Sequence, residues 1–72
     1  MKKSYTVMIA TPEWGHEFST AYQMFRIEQE AINRAAKLLK DGADVWIDVT
    51  KPTDFGWKDD YHINRAEIEA KS

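Results

Sequence analysis

The chain has 72 residues, no cysteine, and 10 basic against 12 acidic residues, which give a formal charge of -2. This length predicts a single domain over residues 1–72 with a thin hydrophobic core. The lack of cysteine excludes disulfides, thiolate metal sites and a cysteine nucleophile, and the small negative charge argues against attraction to phosphate backbones or anionic lipid.

The N-terminal residues do not match a targeting signal. Lys2 and Lys3 resemble the basic start of a secretory signal, but the run from Tyr5 to Ala10 is too short and too polar to be its apolar core. No stretch approaches the length of a transmembrane helix. We therefore expect a soluble, cytoplasmic protein.

Alternating side chains predict two strands in the first part of the chain. The first covers about residues 4–10, where Tyr5, Val7 and Ile9 share one face. A loop that contains a proline and a glycine follows, and the second strand covers about residues 18–25. In this second strand the period of two places four side chains on one face: Phe18, Thr20, Tyr22 and Met24.

Helical periodicity predicts an amphipathic helix over about residues 27–40. Six apolar side chains fall within one arc of its surface: Ile27, Ala31, Ile32, Ala35, Leu38 and Leu39. Glutamates lie in its first turns, lysines lie in its last turn, and Asp41-Gly42 supplies a stop. A third strand is predicted over about residues 44–50, where three side chains share one face: Val45, Ile47 and Val49.

The order of these elements, ββαβ, predicts an α+β fold with a three-stranded, mainly antiparallel sheet. Strand two runs against strand one, and the helix returns the chain so that strand three lies antiparallel beside strand one. The sheet order is then 2-1-3, with the helix across one face. The alternative pairs strand three in parallel with strand two through a right-handed crossover.

Residues 51–72 are predicted to form a tail. Pro52 should end the third strand, because proline cannot donate to a sheet, and the chain should turn through residues 53–56. Asn64 followed by Glu67 has the spacing of a capping box, which predicts a short C-terminal helix over about residues 65–70.

The tail carries three aromatic residues among charged ones. We favour the interpretation that Phe55, Trp57 or Tyr61 folds back over the second sheet face beside Trp46, because a small domain needs its rings for the core. The other interpretation is a protein-binding surface, since interfaces combine desolvated aromatic anchors with a charged rim. The predicted contact residues are Trp14, Phe55, Trp57, Asp59, Asp60 and Tyr61.

No residue pattern predicts catalysis or a cofactor. His16 and His62 are the only histidines, and no third strong ligand accompanies Asp59, Asp60 and His62, so we expect no metal site. The isolated glycines form no phosphate-binding loop, and no serine lies in a nucleophile elbow. The basic residues of the helix alternate with glutamate, as on an ordinary solvated face, which makes nucleic-acid binding a distant third hypothesis.

Protein binding without catalysis is therefore the main functional hypothesis. The size, the ββαβ order and the aromatic-acidic segment resemble the build of small accessory proteins of phages and mobile elements, which commonly occlude a host enzyme or defence complex. The resemblance implies an inhibitor with a protein partner that the sequence does not identify. The alternative is a self-associating structural subunit, a homodimer through the open sheet face.

Overall fold

The computed structural model describes residues 3–11 and 18–72, which form an α+β fold with four strands and two helices. The elements are β1 (Ser4–Thr11), β2 (Phe18–Phe25), α1 (Glu28–Lys40), β3 (Val45–Thr53), β4 (Gly56–Ile63) and α2 (Arg65–Lys71). The α+β class, the first three strands and both helices agree with the prediction. The prediction of only three strands is wrong, because residues 56–63 form a fourth.

The four strands form one antiparallel sheet in the order β2-β1-β3-β4. The predicted order 2-1-3 is present within it, and the alternative with β3 parallel to β2 is wrong. β4 lies beside β3 because the turn at Asp54 and Phe55 folds the chain into a hairpin. The first part of the segment predicted to be a tail thus supplies an edge of the sheet.

β3 continues past Pro52, so the prediction that this proline ends the strand is wrong. The pairing of β3 with β1 stops where Thr50 meets Ser4, whereas its pairing with β4 continues to Thr53. A proline lacks the N–H that a strand must donate when it is paired on both sides. Among the described residues, β3 has a partner strand on only one side at Pro52, which makes the proline tolerable there.

Two bulges change which side chains share a face of the sheet. The extra residue in β2 is Tyr22, and the extra residue in β4 is Asp60. Each bulge reverses the alternation of the side chains beyond it. Thr20 therefore lies on the side of the sheet that holds the core, whereas Met24 lies on the opposite side. The prediction that these two residues share a face is wrong.

The hydrophobic core lies between the sheet and the two helices. Val7, Ile47 and Ile63 occupy paired positions on three adjacent strands and are fully buried. They belong to the same buried cluster as Ile32 of α1 and Ile68 of α2. The other buried apolar residues are Ala31, Ala35, Val45 and Val49. Both helices therefore cover the same face of the sheet.

The ends of α1 are defined by local backbone geometry. Ile27, which was predicted to begin the helix, is extended and exposed at its N-cap. At the other end, Gly42 has a φ of 93°, and the N–H of Ala43 donates to the carbonyl of Leu38 at 3.0 Å. This is a Schellman arrangement, which needs a residue that adopts a left-handed conformation easily.

α2 begins at the predicted cap. The side-chain oxygen of Asn64 accepts a hydrogen bond from the N–H of Glu67 at 3.1 Å. The helix docks beside α1, because the carbonyl of Lys71 accepts a hydrogen bond from Gln29 Nε2 at 3.3 Å and Ile68 enters the core. Neither described helix is long and apolar enough to cross a membrane.

Candidate functional site

The face of the sheet opposite the helices is the candidate functional surface, because neither α1 nor α2 covers it. Its side chains alternate with core residues along each strand. We call this surface the open face. Its residues are Ser4, Thr6, Met8 and Ala10 of β1, Ala21 and Met24 of β2, Trp46, Asp48, Thr50 and Pro52 of β3, and Trp57, Asp59 and His62 of β4.

Asp48 lies near the centre of the open face. Its Oδ1 accepts a hydrogen bond from Trp46 Nε1 at 3.1 Å and lies 2.5 Å from His62 Nδ1. The Asp48 side chain is half-buried, whereas the His62 side chain is mostly exposed. These contacts orient the indole and the imidazole, so the middle of the open face is polar and ordered.

A second contact spans one end of the open face. Arg26 directly follows β2, and its guanidinium carbon lies 5.5 Å from the centre of the Trp57 ring on β4, a cation–π contact. Phe25 pairs with Tyr5 in an antiparallel register, so the backbone of Arg26 follows on the side of Ser4. Ser4 is buried, and its Oγ has no hydrogen-bond partner among the described residues.

The β3–β4 hairpin presents Phe55 at its tip. Thr53 Oγ1 donates a hydrogen bond to the carbonyl of Gly56 at 2.7 Å and accepts one from the N–H of Phe55 at 3.2 Å. Gly56 has a φ of 112°, which L-residues rarely adopt. The Phe55 ring is fully exposed, although the backbone around it is held by these bonds.

Tyr61 lies on the opposite face of β4. It pairs with the core residue Val49 and is 39% exposed, and Lys3 Nζ lies 5.1 Å from its ring centre. The same Lys3 Nζ lies 2.7 Å from Asp60 Oδ2. This hydrogen bond lowers the pKa of Asp60 and raises the pKa of Lys3, whereas burial raises the pKa of Tyr61.

The structure divides the predicted contact residues into two groups. Trp57 and Asp59 share the open face, and Phe55 precedes them at the hairpin tip. Tyr61 lies on the other face of the same strand, and Asp60 is the bulged residue, held by an ion pair. Only the first group can contact one partner surface as a unit.

The interpretation of the three tail rings as core over the second sheet face is wrong. Phe55, Trp57 and Tyr61 are all exposed, and the strand that carries the last two lies beside β3 at the edge of the sheet. Trp46 of the open face is therefore not covered by them. Trp14, the remaining predicted contact residue, lies outside the described residues.

Two residues that contact this surface or lie on it are not predicted from the sequence as a part of it: Arg26 and His62. The alternation of Trp46, Asp48 and Thr50 does indicate that they share a face. Arg26, however, precedes a helix and resembles the start of its polar face. Its contact with Trp57 depends on the position of β4, which the sequence pattern does not reveal.

Within residues 3–11 and 18–72, no group of three or more metal-ligating side chains is placed to hold an ion, and His62 contacts Asp48 instead of its neighbours in sequence. No protein-family model matches the sequence, and no curated protein or solved structure matches it either. The geometry of the hairpin and the open face is therefore the basis for a functional proposal.

Proposed function

We propose that this chain is a non-catalytic protein-binding module that contacts its partner with the β3–β4 hairpin and the adjoining end of the open face. The contact set is Phe55, Trp57 and Asp59, together with Arg26, which stacks on Trp57. The observation that carries the proposal is the full exposure of Phe55 on a hydrogen-bonded turn.

Phe55 contributes nothing to the core, yet its position is well defined. The two hydrogen bonds of Thr53 and the left-handed conformation of Gly56 order the turn before any partner is present. Ordering of loops and side chains is a main cost of association, and a preformed turn lowers that cost. An aromatic ring on a rigid tip suits insertion into an apolar pocket, as aromatic hot-spot residues do.

Trp57 extends this apolar contact from the tip onto the open face. It is 54% exposed, and the Arg26 guanidinium packs against its ring. Asp59 on the same face and Asp54 in the turn add exposed carboxylates around the two rings. This charged rim fits a partner with a basic surface, because opposite charges steer the encounter and set its orientation.

Occlusion of an enzyme or defence complex is the mode of action we propose for this contact. A basic surface that binds an anionic substrate would be blocked when the acidic hairpin covers it. The small accessory proteins of phages and mobile elements, which this chain resembles in build, commonly act in this way. The proposal involves no cofactor, no catalysis and no nucleic acid.

The test compares the capture of a partner by the wild-type protein and by a Phe55→Ala, Trp57→Ala double variant. The captured protein is identified and purified, and its affinity for each variant is measured by calorimetry. The matched control is Tyr22→Ala, which removes another exposed aromatic ring at the opposite edge of the sheet. Because truncation of a hot-spot residue costs about 2 kcal/mol or more, we expect the double variant to bind at least about thirtyfold more weakly.

Circular dichroism and thermal unfolding establish that each variant is folded. Equal affinity of the wild type and the folded double variant would contradict the proposal. An equal loss of affinity in a Tyr22→Ala control that sediments as the wild type does would also contradict it, since the partner would then contact β2 and not the hairpin alone.

A structural subunit that self-associates through the open face is the second candidate. Met8, Ala21 and Met24 place apolar side chains on this face, and Met24 is 55% exposed. A homodimer would bury them, as an isologous interface does. Sedimentation of the wild type and of a Met8→Lys variant tests this candidate, because a charge at the centre of the face should prevent such a dimer.

A further inference from the structure

We propose that the outer edge of β2 is a second interaction surface, at which two copies of this chain pair antiparallel, strand to strand. β2 is the last strand of the sheet, so its outer backbone groups have no partner strand among the described residues. Pairing with β2 of a second copy would satisfy these groups and join two four-stranded sheets into one. This inference is independent of the proposed function, since Phe55 and Trp57 lie at the opposite edge.

The two edges of the sheet differ in charge. β4 carries Lys58, Asp59 and Asp60, and charged side chains are a common protection against edge-to-edge pairing. β2 reads FSTAYQMF and contains no charged residue, no proline and no glycine. The protective feature that this edge shows within the described part of the chain is the bulge at Tyr22. An uncharged strand of high β propensity at a free edge is prone to pair with another strand.

β2 is also exposed on both of its faces. All five side chains of residues 20–24 are exposed, on the helix side as well as on the open face. Tyr22 and Met24 are 48% and 55% exposed, and both are large. A neighbouring strand would shield the backbone and form cross-strand contacts with these side chains.

A second copy suits this edge because the adjoining surface is self-complementary in charge. Between β2 and α1, an open depression of about 400 Å³ is lined by Phe25, Glu30, Asn33, Arg34 and Lys37. Since both signs of charge are present, a twofold axis can bring Glu30 of one copy toward Arg34 or Lys37 of the other. Two identical strands paired antiparallel are related by such an axis, as a closed dimer requires.

The dimer would present two copies of the proposed binding site. The β4 strands would lie at the two outer edges of the joined sheet, each with its own Phe55 tip. Two sites on one particle increase the overall affinity for a partner that displays two matching pockets.

Sedimentation equilibrium tests the inference over total protein concentrations from about 1 to about 500 µM. Wild type is compared with Thr20→Lys and Gln23→Lys, two exposed positions of β2 on the side of the sheet that holds the helices, where a lysine on each copy would place like charges across the paired edges. Phe55→Lys is the matched control, because it adds the same charge at an exposed position near the opposite edge. We expect wild type and control to reach twice the monomer mass, whereas both β2 variants remain monomeric and folded.

Hydrogen exchange of the wild type gives a second readout. Backbone amides within residues 18–25 should exchange more slowly as the concentration rises, because the outer edge becomes paired. A wild type that stays monomeric over the whole range would overturn the inference, as would a dimer that both β2 lysine variants still form. A dimer lost in Met8→Lys but retained in both β2 variants would place the interface on the open face and would equally overturn it.

Discussion

The guanidinium carbon of Arg26 lies 5.5 Å from the centre of the Trp57 ring, so the end of β2 touches β4 across the two central strands. The contact spans one end of the open face. It links the two edge strands, which have no backbone hydrogen bonds to each other. It also holds the tryptophan that we assign to the partner contact.

This cation–π contact should be measurable as a coupling between the two residues. We expect a double-mutant cycle of Arg26→Ala and Trp57→Ala to give a coupling free energy of about 0.5–1 kcal/mol in urea unfolding, as for exposed cation–π pairs. The control cycle pairs Trp57→Ala with Arg34→Ala, since Arg34 lies on α1, which packs on the other face of the sheet. Equal couplings in the two cycles would argue against a specific contact.

Phe55 should be dispensable for stability, in contrast to a core residue of the same hairpin. Phe55→Ala should change the free energy of unfolding by less than about 0.5 kcal/mol, because its ring is fully exposed. Ile63→Ala should cost about 2–5 kcal/mol, because Ile63 is fully buried in the core cluster. Chemical unfolding of both variants tests this contrast. A large decrease in the free energy of unfolding of Phe55→Ala would show that the ring stabilises the fold.

The Lys3–Asp60 ion pair should make stability depend on pH at both extremes. The pKa of Asp60 lies below its ordinary value of 3.8, so the pair contributes stability above that value, and this contribution disappears as the pH falls through the pKa of the folded state. The pKa of Lys3 lies above its ordinary value of 10.5, so the contribution also disappears as the pH rises through that higher pKa.

Asp60→Asn should therefore differ from the wild type at neutral pH and approach it in acid. The measurement is the urea midpoint of both proteins between neutral pH and about pH 2. Asp54→Asn is the matched control, an exposed carboxylate of the same hairpin that has no ion pair among the described contacts. A constant difference between Asp60→Asn and the wild type at all pH values would show that the side chain acts by packing and not by charge.

Much of the fold follows from the periodicity of the sequence. The apolar arc between Ala31 and Leu39 predicts α1, because only a helix brings these side chains together. The alternation of Val45, Ile47 and Val49 predicts a strand whose one face enters the core, and these three residues are buried. The order 2-1-3 then follows, since short connections favour antiparallel neighbours.

The faces of β2 and β4 could not be predicted, because each strand contains a bulge. The extra residues, Tyr22 and Asp60, shift the period of two by one position, and no composition marks the shift. In β4 the bulge places Trp57 on the open face and Tyr61 on the core side. An unbroken alternation would place these two residues, four apart, on the same face. The separation of the predicted contact residues into two groups has this same cause.

α2 supplies the last prediction, since its seven residues are too few to form a stable helix alone. The cap from Asn64, the burial of Ile68 and the contacts of Lys71 with α1 hold it in place. Asn64→Ala should cost about 0.5–2 kcal/mol in chemical unfolding, and amides of residues 65–71 should exchange faster. Lys37→Ala, an exposed change within α1, is the control and should cost less. Unchanged exchange in Asn64→Ala would show that the packing of α2 on the core and on α1 orders the helix without the cap.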